Sequence, residues 1–129
     1  MNKDLKAWTM PGKATFSAAV RAGQVLYVSG MTAVGEDRKI VGDTLAAQAR
    51  FIYSKIGRVL AEAGAGFGDV IETVEYVTTL EGYAETAAVR REVFGEGPFP
   101  AATGVQVSGL VREGALIEIK VTAWLGDRP

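Results

Sequence analysis

The sequence predicts one α+β domain in which two helices lie on one face of a mixed β-sheet. Three observations support this fold class. Apolar residues recur at helical spacing in two segments, and alternating or β-branched runs fill the others. The predicted order is hairpin, helix, strand, helix and two strands. No repeat, linker or low-complexity tract interrupts it, so residues 1–129 form a single domain.

The N-terminal segment is predicted to form a β-hairpin. Two apolar runs, residues 16–20 and 25–30, flank a polar turn at residues 21–24. A second polar turn, at residues 34–39, then precedes a short strand at residues 40–41.

Two helices are predicted on the basis of their apolar periodicity and their end signals. The first begins after Asp43 or Thr44, either of which can cap it, and continues to about Ala63. The glycine at position 64 suits a left-handed helix end. The second helix covers residues 83–94 and is stopped by a Gly- and Pro-rich segment.

Three further strands are predicted at residues 70–79, 104–110 and 116–125. On the last strand one face is wholly apolar and should contact the helices. The opposite face mixes charged residues with Leu116 and Trp124, which are too apolar for open water. We therefore expect another subunit to cover that face.

Composition excludes several function classes. With 48% hydrophobic and 22% charged residues, the chain has the make-up of a soluble globular protein. A net charge of −1, without a basic stripe, argues against nucleic acid or an anionic membrane as partner. The first eight residues lack the apolar run of a signal peptide, so a cytoplasmic location is expected.

The chain contains neither cysteine nor histidine, which restricts its chemistry. Disulfides, thiol nucleophiles, Ser-His triads and zinc sites built from Cys or His are all excluded. Acid–base chemistry must therefore use Glu, Asp, Tyr, Lys or water held by the backbone. No metal or organic cofactor is expected.

Five short segments stand out along the chain: FSAAV at 16–20, VSG at 28–30, the helix bearing Gln48, FPA at 99–101 and IEI at 117–119. In this order and spacing they resemble the Rid (YjgF) family of small trimeric proteins, whose best-known members hydrolyse reactive enamines and imines. The resemblance covers residues 16 to 124. It implies a chorismate-mutase-like, six-stranded sheet in a homotrimer with a central barrel. Three clefts between neighbouring subunits would bind the small-molecule substrate.

The resemblance also implies a set of site residues. Glu118 matches a glutamate of the family's cleft, and Ser29 and Gly30 match its Ser-Gly turn. Together with Met31 and Thr103, these positions are candidates for contact with a ligand. Without a nearby base Ser29 is a poor nucleophile, so the turn is better interpreted as backbone N–H groups that bind an oxyanion or water.

At three positions the chain departs from the deaminating members of the family. Phe16 replaces a tyrosine, Ala102 replaces the arginine that binds the substrate carboxylate, and about Ala87 an asparagine is missing. These changes predict a wider, drier pocket. They also predict weak or absent activity toward 2-aminoacrylate.

Glu118 and Glu75 are the candidate catalytic residues. A covered Glu118 would favour its neutral form, which suits an acid or base. Glu75 interrupts an apolar strand; it could pair with Glu118, or it could be a structural charge that is bound to an arginine. Arg90 and Arg91 could replace the missing arginine, although a solvated helix face is the simpler interpretation of both.

Two other function classes stay open at this point. The trimer could be a non-catalytic small-ligand-binding protein. It could also be an isomerase, cyclase or hydrolase of a specialised pathway, because fold does not determine function.

Overall fold

The computed structural model describes residues 1–129 and contains one six-stranded sheet. In chain order the strands are β1 (Leu5–Thr9), β2 (Ser17–Ala22), β3 (Val25–Val28), β4 (Val70–Val77), β5 (Ala101–Gln106) and β6 (Ile117–Trp124). Their spatial order is β1-β2-β3-β6-β4-β5. The β4–β5 pair is parallel and all other pairs are antiparallel, which confirms the mixed sheet.

Two helices cover one face of this sheet. Helix α1 (Leu45–Glu62) begins at Thr44, whose Oγ1 accepts a hydrogen bond from the Ala47 N–H at 3.1 Å. Helix α2 (Thr86–Phe94) follows a 3₁₀ turn at Tyr83–Glu85 and ends at a glycine with positive φ. α1 packs against both α2 and β6. The structure therefore confirms the α+β fold class.

Strand β6 divides the molecule into a packed side and an open side. Its inward residues Ile117, Ile119, Val121 and Ala123 are at most 1% exposed and belong to a core cluster of 20 buried residues. Burying each large aliphatic side chain contributes about 1.5–3 kcal/mol. The alternation predicted for this strand is therefore present, and it defines which face of the sheet contacts the helices.

The opposite face of the sheet has no cover within the chain. Tyr27, Val105 and Trp124 are 50%, 40% and 46% exposed there. The register pairs Tyr27 with Thr122, and Val25 with Trp124, so these residues belong to one continuous surface. Neither helix is both long and apolar enough to cross a bilayer.

Two of the predicted strands differ most from the structure. The strand expected at residues 40–41 is only an isolated bridge between Ile40 and Val34, and the sixth strand is β1. Strand β5 begins at Ala101 rather than near Gly104, because parallel pairing with β4 already starts there. Pairing partners distant in the sequence set both boundaries.

Candidate functional site

The Glu118 carboxylate lies against the backbone of Gly30. A Cβ placed on Gly30 would overlap Glu118 Oε2, so a side chain at position 30 would displace the carboxylate. The Gly30 N–H makes no hydrogen bond within the chain, and Glu118 is absent from all three ion pairs. A partly buried carboxylate thus lies beside a free backbone donor.

Neighbouring backbone contacts position this pair. Ser29 Oγ donates to the Ser17 carbonyl at 2.6 Å, and the Ser29 N–H donates to the Ala18 carbonyl at 2.9 Å. These bonds tie the turn after β3 to the start of β2, next to Phe16, which is 56% exposed. We refer to Phe16, Ser29, Gly30 and Glu118 as the Glu118 cluster.

Met31, a predicted ligand contact, lies in the hydrophobic core. Its side chain is 7% exposed and belongs to the hydrophobic core. Its backbone N–H and carbonyl both pair with Ile119. Met31 therefore positions the Glu118 strand and has no free polar group to offer a ligand.

Ala102 and Thr103 point to opposite faces of β5. Parallel pairing places Ala102 beside Thr73, which is 2% exposed on the helix side of the sheet. Thr103 pairs with Val74 on the open side. Within one chain, Ala102 therefore does not share a face with Glu118.

A cavity of about 230 Å³ opens between α2 and β5. We call it the Ala102 pocket. It is lined by residues from α2, from β5, from the segment that joins them and from β4: Thr73, Ala87, Arg90, Arg91, Phe94, Phe99, Pro100 and Ala102. The pocket therefore contains Ala87 and Ala102, two of the three positions at which the resemblance predicts a departure from the deaminating members, together with two arginines.

An ion pair between a buried glutamate and a partly buried arginine adjoins this pocket. Arg90 Nη1 donates to Glu75 Oε1 at 3.0 Å and Oε2 at 3.3 Å, and also to Thr86 Oγ1 at 2.9 Å. The Tyr83 and Tyr53 hydroxyls lie 3.4 and 3.5 Å from the same carboxylate. Since Glu75 is only 4% exposed, the arginine and the two tyrosine hydroxyls have to stabilise its charge.

The electrostatics of the ion pair are consistent with that arrangement. Burial raises the pKa of the Tyr53 hydroxyl well above its usual value, and the charge of Glu75 raises it further. Tyr53 therefore stays protonated and can act as a donor. At Gly104 a Cβ would overlap the Tyr83 hydroxyl, so this glycine lets β5 close over the second tyrosine.

The carboxylate pair considered from the sequence does not form within the chain. β4 and β6 pair Glu75 with Ile119 and Tyr76 with Glu118. Opposed residues of an antiparallel pair share a face, so the two glutamates lie on opposite sides of the sheet. A catalytic role for Glu75 stays a prediction, and its contacts favour the alternative of a charge bound to an arginine.

Comparison with known proteins establishes the family. A family model described as Endoribonuclease L-PSP matches residues 9–125. The chain belongs to the Rid (YjgF) family. It is 35% identical over 114 residues to the RutC family protein YjgH of Escherichia coli, and the aligned residues cover 88% of this chain and 85% of that protein. It is 36% identical over 117 residues to the 3-aminoacrylate deaminase RutC of Acinetobacter baylyi, at 89% and 90% coverage.

Solved structures of Rid proteins share the fold. A YjgF family member from Neisseria meningitidis superposes with a TM-score of 0.82 at 31% identity, covering 97% of this chain and 98% of that one. The Rid protein YyfA of Yersinia pestis gives a TM-score of 0.85 at 26% identity, at 93% and 98% coverage. Homotrimers are typical of the Rid family.

The residues around Glu75 were only partly foreseen from the sequence. Tyr53 and Tyr83 lie on separate elements, and no local motif joins them to Glu75. The buried alternation of β4 was the available signal, because it places Glu75 between Thr73 and Val77 on the packed face.

No cluster of three or more acidic residues gathers to hold a metal ion.

Proposed function

We propose that this Rid protein is an enzyme that uses acid–base chemistry on a small reactive imine, enamine or related carbonyl-derived metabolite. Hydrolysis is the favoured reaction, and no metal or organic cofactor takes part. Family membership supports this proposal, as does the likeness to a 3-aminoacrylate deaminase over 89% of the chain. The geometry of Glu118 and Gly30 is the single observation that carries it.

In the proposal the active site is formed between subunits of a homotrimer. The open sheet face, with its exposed Tyr27 and Trp124, would form the central barrel. The Glu118 cluster and the Ala102 pocket lie on opposite faces within a chain, so one cleft can combine them only across a subunit boundary. Thr103, on the open side of edge strand β5, would lie at that boundary.

The proposed reaction adds water to a C=N bond. Glu118 accepts a proton from the water as its oxygen attacks the imine carbon, which gives a carbinolamine. The same carboxyl then returns the proton to nitrogen. As the C–N bond breaks, the ionised Glu118 takes the hydroxyl proton of the carbinolamine, so that a carbonyl compound and an amine or ammonia leave. The free Gly30 N–H would hold the water or a developing negative oxygen.

Replacing the carboxyl tests this mechanism. The assay supplies 2-imino acids with different side chains, generated in situ by an amino-acid oxidase, and follows their hydrolysis. Glu118→Gln should lower kcat by about 10²–10⁴-fold, as expected for loss of a general acid–base group. Glu62→Gln, which removes an exposed helix glutamate, is the matched control and should keep full activity.

Full activity of the Glu118→Gln variant would refute the role of Glu118. We expect 2-aminoacrylate to be a weak substrate, because β5 offers Ala102 in place of a carboxylate-binding arginine and this small molecule has no apolar body to fill the Ala102 pocket. A deaminase rate with 2-aminoacrylate as high as that with the best substrate would contradict this second expectation.

A second candidate function is a non-catalytic, ligand-binding trimer. Apolar side chains at Phe16, Ala87 and Ala102 favour it, because all three positions lack the polar groups of the deaminating members. Ligand binding without turnover of any imine, enamine or ring-opened substrate would support this candidate. An isomerase or cyclase would instead convert a substrate without releasing an amine.

A further inference from the structure

Two guanidinium groups and one carboxylate meet at the Ala102 pocket. Arg90 and Arg91 both line the cavity, and Glu75 is the only acidic group that forms an ion pair with either of them. Glu75 lies behind Arg90 and is 4% exposed. The pocket therefore carries an excess of one positive charge, and that charge faces the cavity.

Arg90 is held in one orientation with donors to spare. Its Nη1 makes the bonds to Glu75 and Thr86, and the guanidinium lies 5.9 Å from the Tyr83 ring centroid. Its Nε and Nη2 make no hydrogen bond within the chain. Because no buried polar side-chain atom lacks a partner, both nitrogens reach solvent. A fixed guanidinium with free donors is well suited to bind a carboxylate.

The remaining walls of the pocket are apolar. Phe94, Phe99, Pro100 and the methyl groups of Ala87 and Ala102 surround the arginines. The cavity of about 230 Å³ exceeds the roughly 150 Å³ that accepts a benzene ring in an engineered protein core. There is room for an apolar group beside the charged end.

We propose that the Ala102 pocket binds an organic carboxylate with an aromatic or branched apolar body. Arg90 and Arg91 bind the carboxylate, Glu75 orients Arg90, and the apolar body contacts Phe94 and Phe99. The proposal deepens the proposed function and rests on it, since it names the ligand class of the same cleft. It also gives Glu75 a role as a positioning residue.

The small side chain of Ala102 is part of this argument. An arginine at position 102 would bring a third guanidinium into the pocket beside Arg90 and Arg91, and its length would fill the cavity. With alanine, the cavity is open and the positive charge comes from α2 alone. The acid group of the ligand would then lie against Arg90 and Arg91, and the apolar body would lie toward Phe94, Phe99 and Ala102.

Two unreactive probes separate charge recognition from catalysis. 3-Phenylpropanoate carries a carboxylate, and 3-phenylpropanamide has nearly the same shape without the charge. Calorimetry on the full-length protein should show at least tenfold tighter binding of the acid. Acid binding should also shift the ¹H–¹⁵N resonance of Arg90 Nε. Equal affinity for both probes would overturn the proposal.

Single substitutions locate the site. Arg91→Gln removes an exposed side chain without an internal partner and should weaken acid binding by about three- to tenfold. Ala102→Leu should weaken both probes about tenfold by filling the cavity. Arg58→Gln, which removes an exposed arginine of α1 outside the pocket, is the charge-matched control and should bind normally. Normal acid binding by both pocket variants would refute the site.

The double variant Glu75→Gln/Arg90→Gln removes both charges of the buried pair and should lose the preference for the acid. If it does not fold, the probe pair and Arg91→Gln still decide the question. Glu118→Gln should bind the acid normally while losing turnover. Acid binding without turnover by the wild type would reject the proposed enzyme and keep this site, and turnover without acid preference would do the reverse.

Discussion

The ion pair between Glu75 and Arg90 gives the most direct energetic test of the structure. Glu75 is 4% exposed, and the Arg90 guanidinium is its closest partner, at 3.0 Å. The perturbation is a double-mutant cycle with Glu75→Gln, Arg90→Gln and both together. Glutamine keeps most of the side-chain volume, so the cycle reports mainly on charge and hydrogen bonding.

The structure predicts unequal costs for the single substitutions. Arg90→Gln leaves Glu75 with two tyrosine hydroxyls at 3.4 and 3.5 Å, which are long hydrogen bonds. The unfolding free energy should fall by about 3 kcal/mol, as expected when a buried charge loses its partner. Glu75→Gln should cost only about 1–2 kcal/mol, because the Arg90 side chain is 24% exposed and can turn to water.

The double variant should be about 2 kcal/mol more stable than the two single costs together predict. Urea unfolding at one fixed protein concentration measures all four proteins, because self-association would make stability concentration-dependent. A coupling energy below about 0.5 kcal/mol would mean that the pair is not a buried unit. That result would also remove the orienting role given to Glu75.

Two further predictions concern the Gly30 turn and the surface pair formed by Asp69 and Arg128. Gly30→Ala should push the Glu118 carboxylate aside and lower kcat at least tenfold with little loss of stability. Gly66→Ala is the control and should keep normal kcat, because a Cβ there meets nothing within 4 Å. Normal kcat for Gly30→Ala would contradict the contact. Hydrogen bonding to Arg128 holds the pKa of Asp69 below its usual value, so the pair stabilises the fold above about pH 4 and loses this effect as pH falls through the lowered pKa. Asp69→Asn should therefore cost about 0.5–1 kcal/mol at pH 7 and almost nothing near pH 2, as measured by urea unfolding; an equal cost at both pH values would contradict the assignment.

Most of the fold could be predicted because burial imposes regular patterns. The alternation in β6 identifies its packed face, and helical spacing with the Thr44 cap identifies α1. Strand β1 was not predicted because it lacks such burial. Its residues are mostly exposed, so LKAWT carries little alternation, and only pairing with β2 makes it a strand.

The candidate site was harder to predict because its parts belong to different faces. The family resemblance indicated both Glu118 and Ala102, yet it could not show that they face away from each other within one chain. Met31 is a predicted ligand contact, whereas its pairing with Ile119 places its side chain in the core. Such outcomes depend on strand register, which the local sequence does not specify.

Glu75 and Ala102 are the two positions where the chain looked most irregular, and the structure links them. Ala102 opens a pocket beside α2, and Glu75 holds Arg90 at the wall of that pocket. A buried carboxylate on β4 is costly unless it is paired, so the arginine and the glutamate have to be explained together. In our proposal, the alanine on β5 and the arginines on α2 act together, with α2 supplying the positive charge of the pocket. In the same proposal Glu118 and Gly30 carry out the chemistry, while α2 binds the acid end of the ligand.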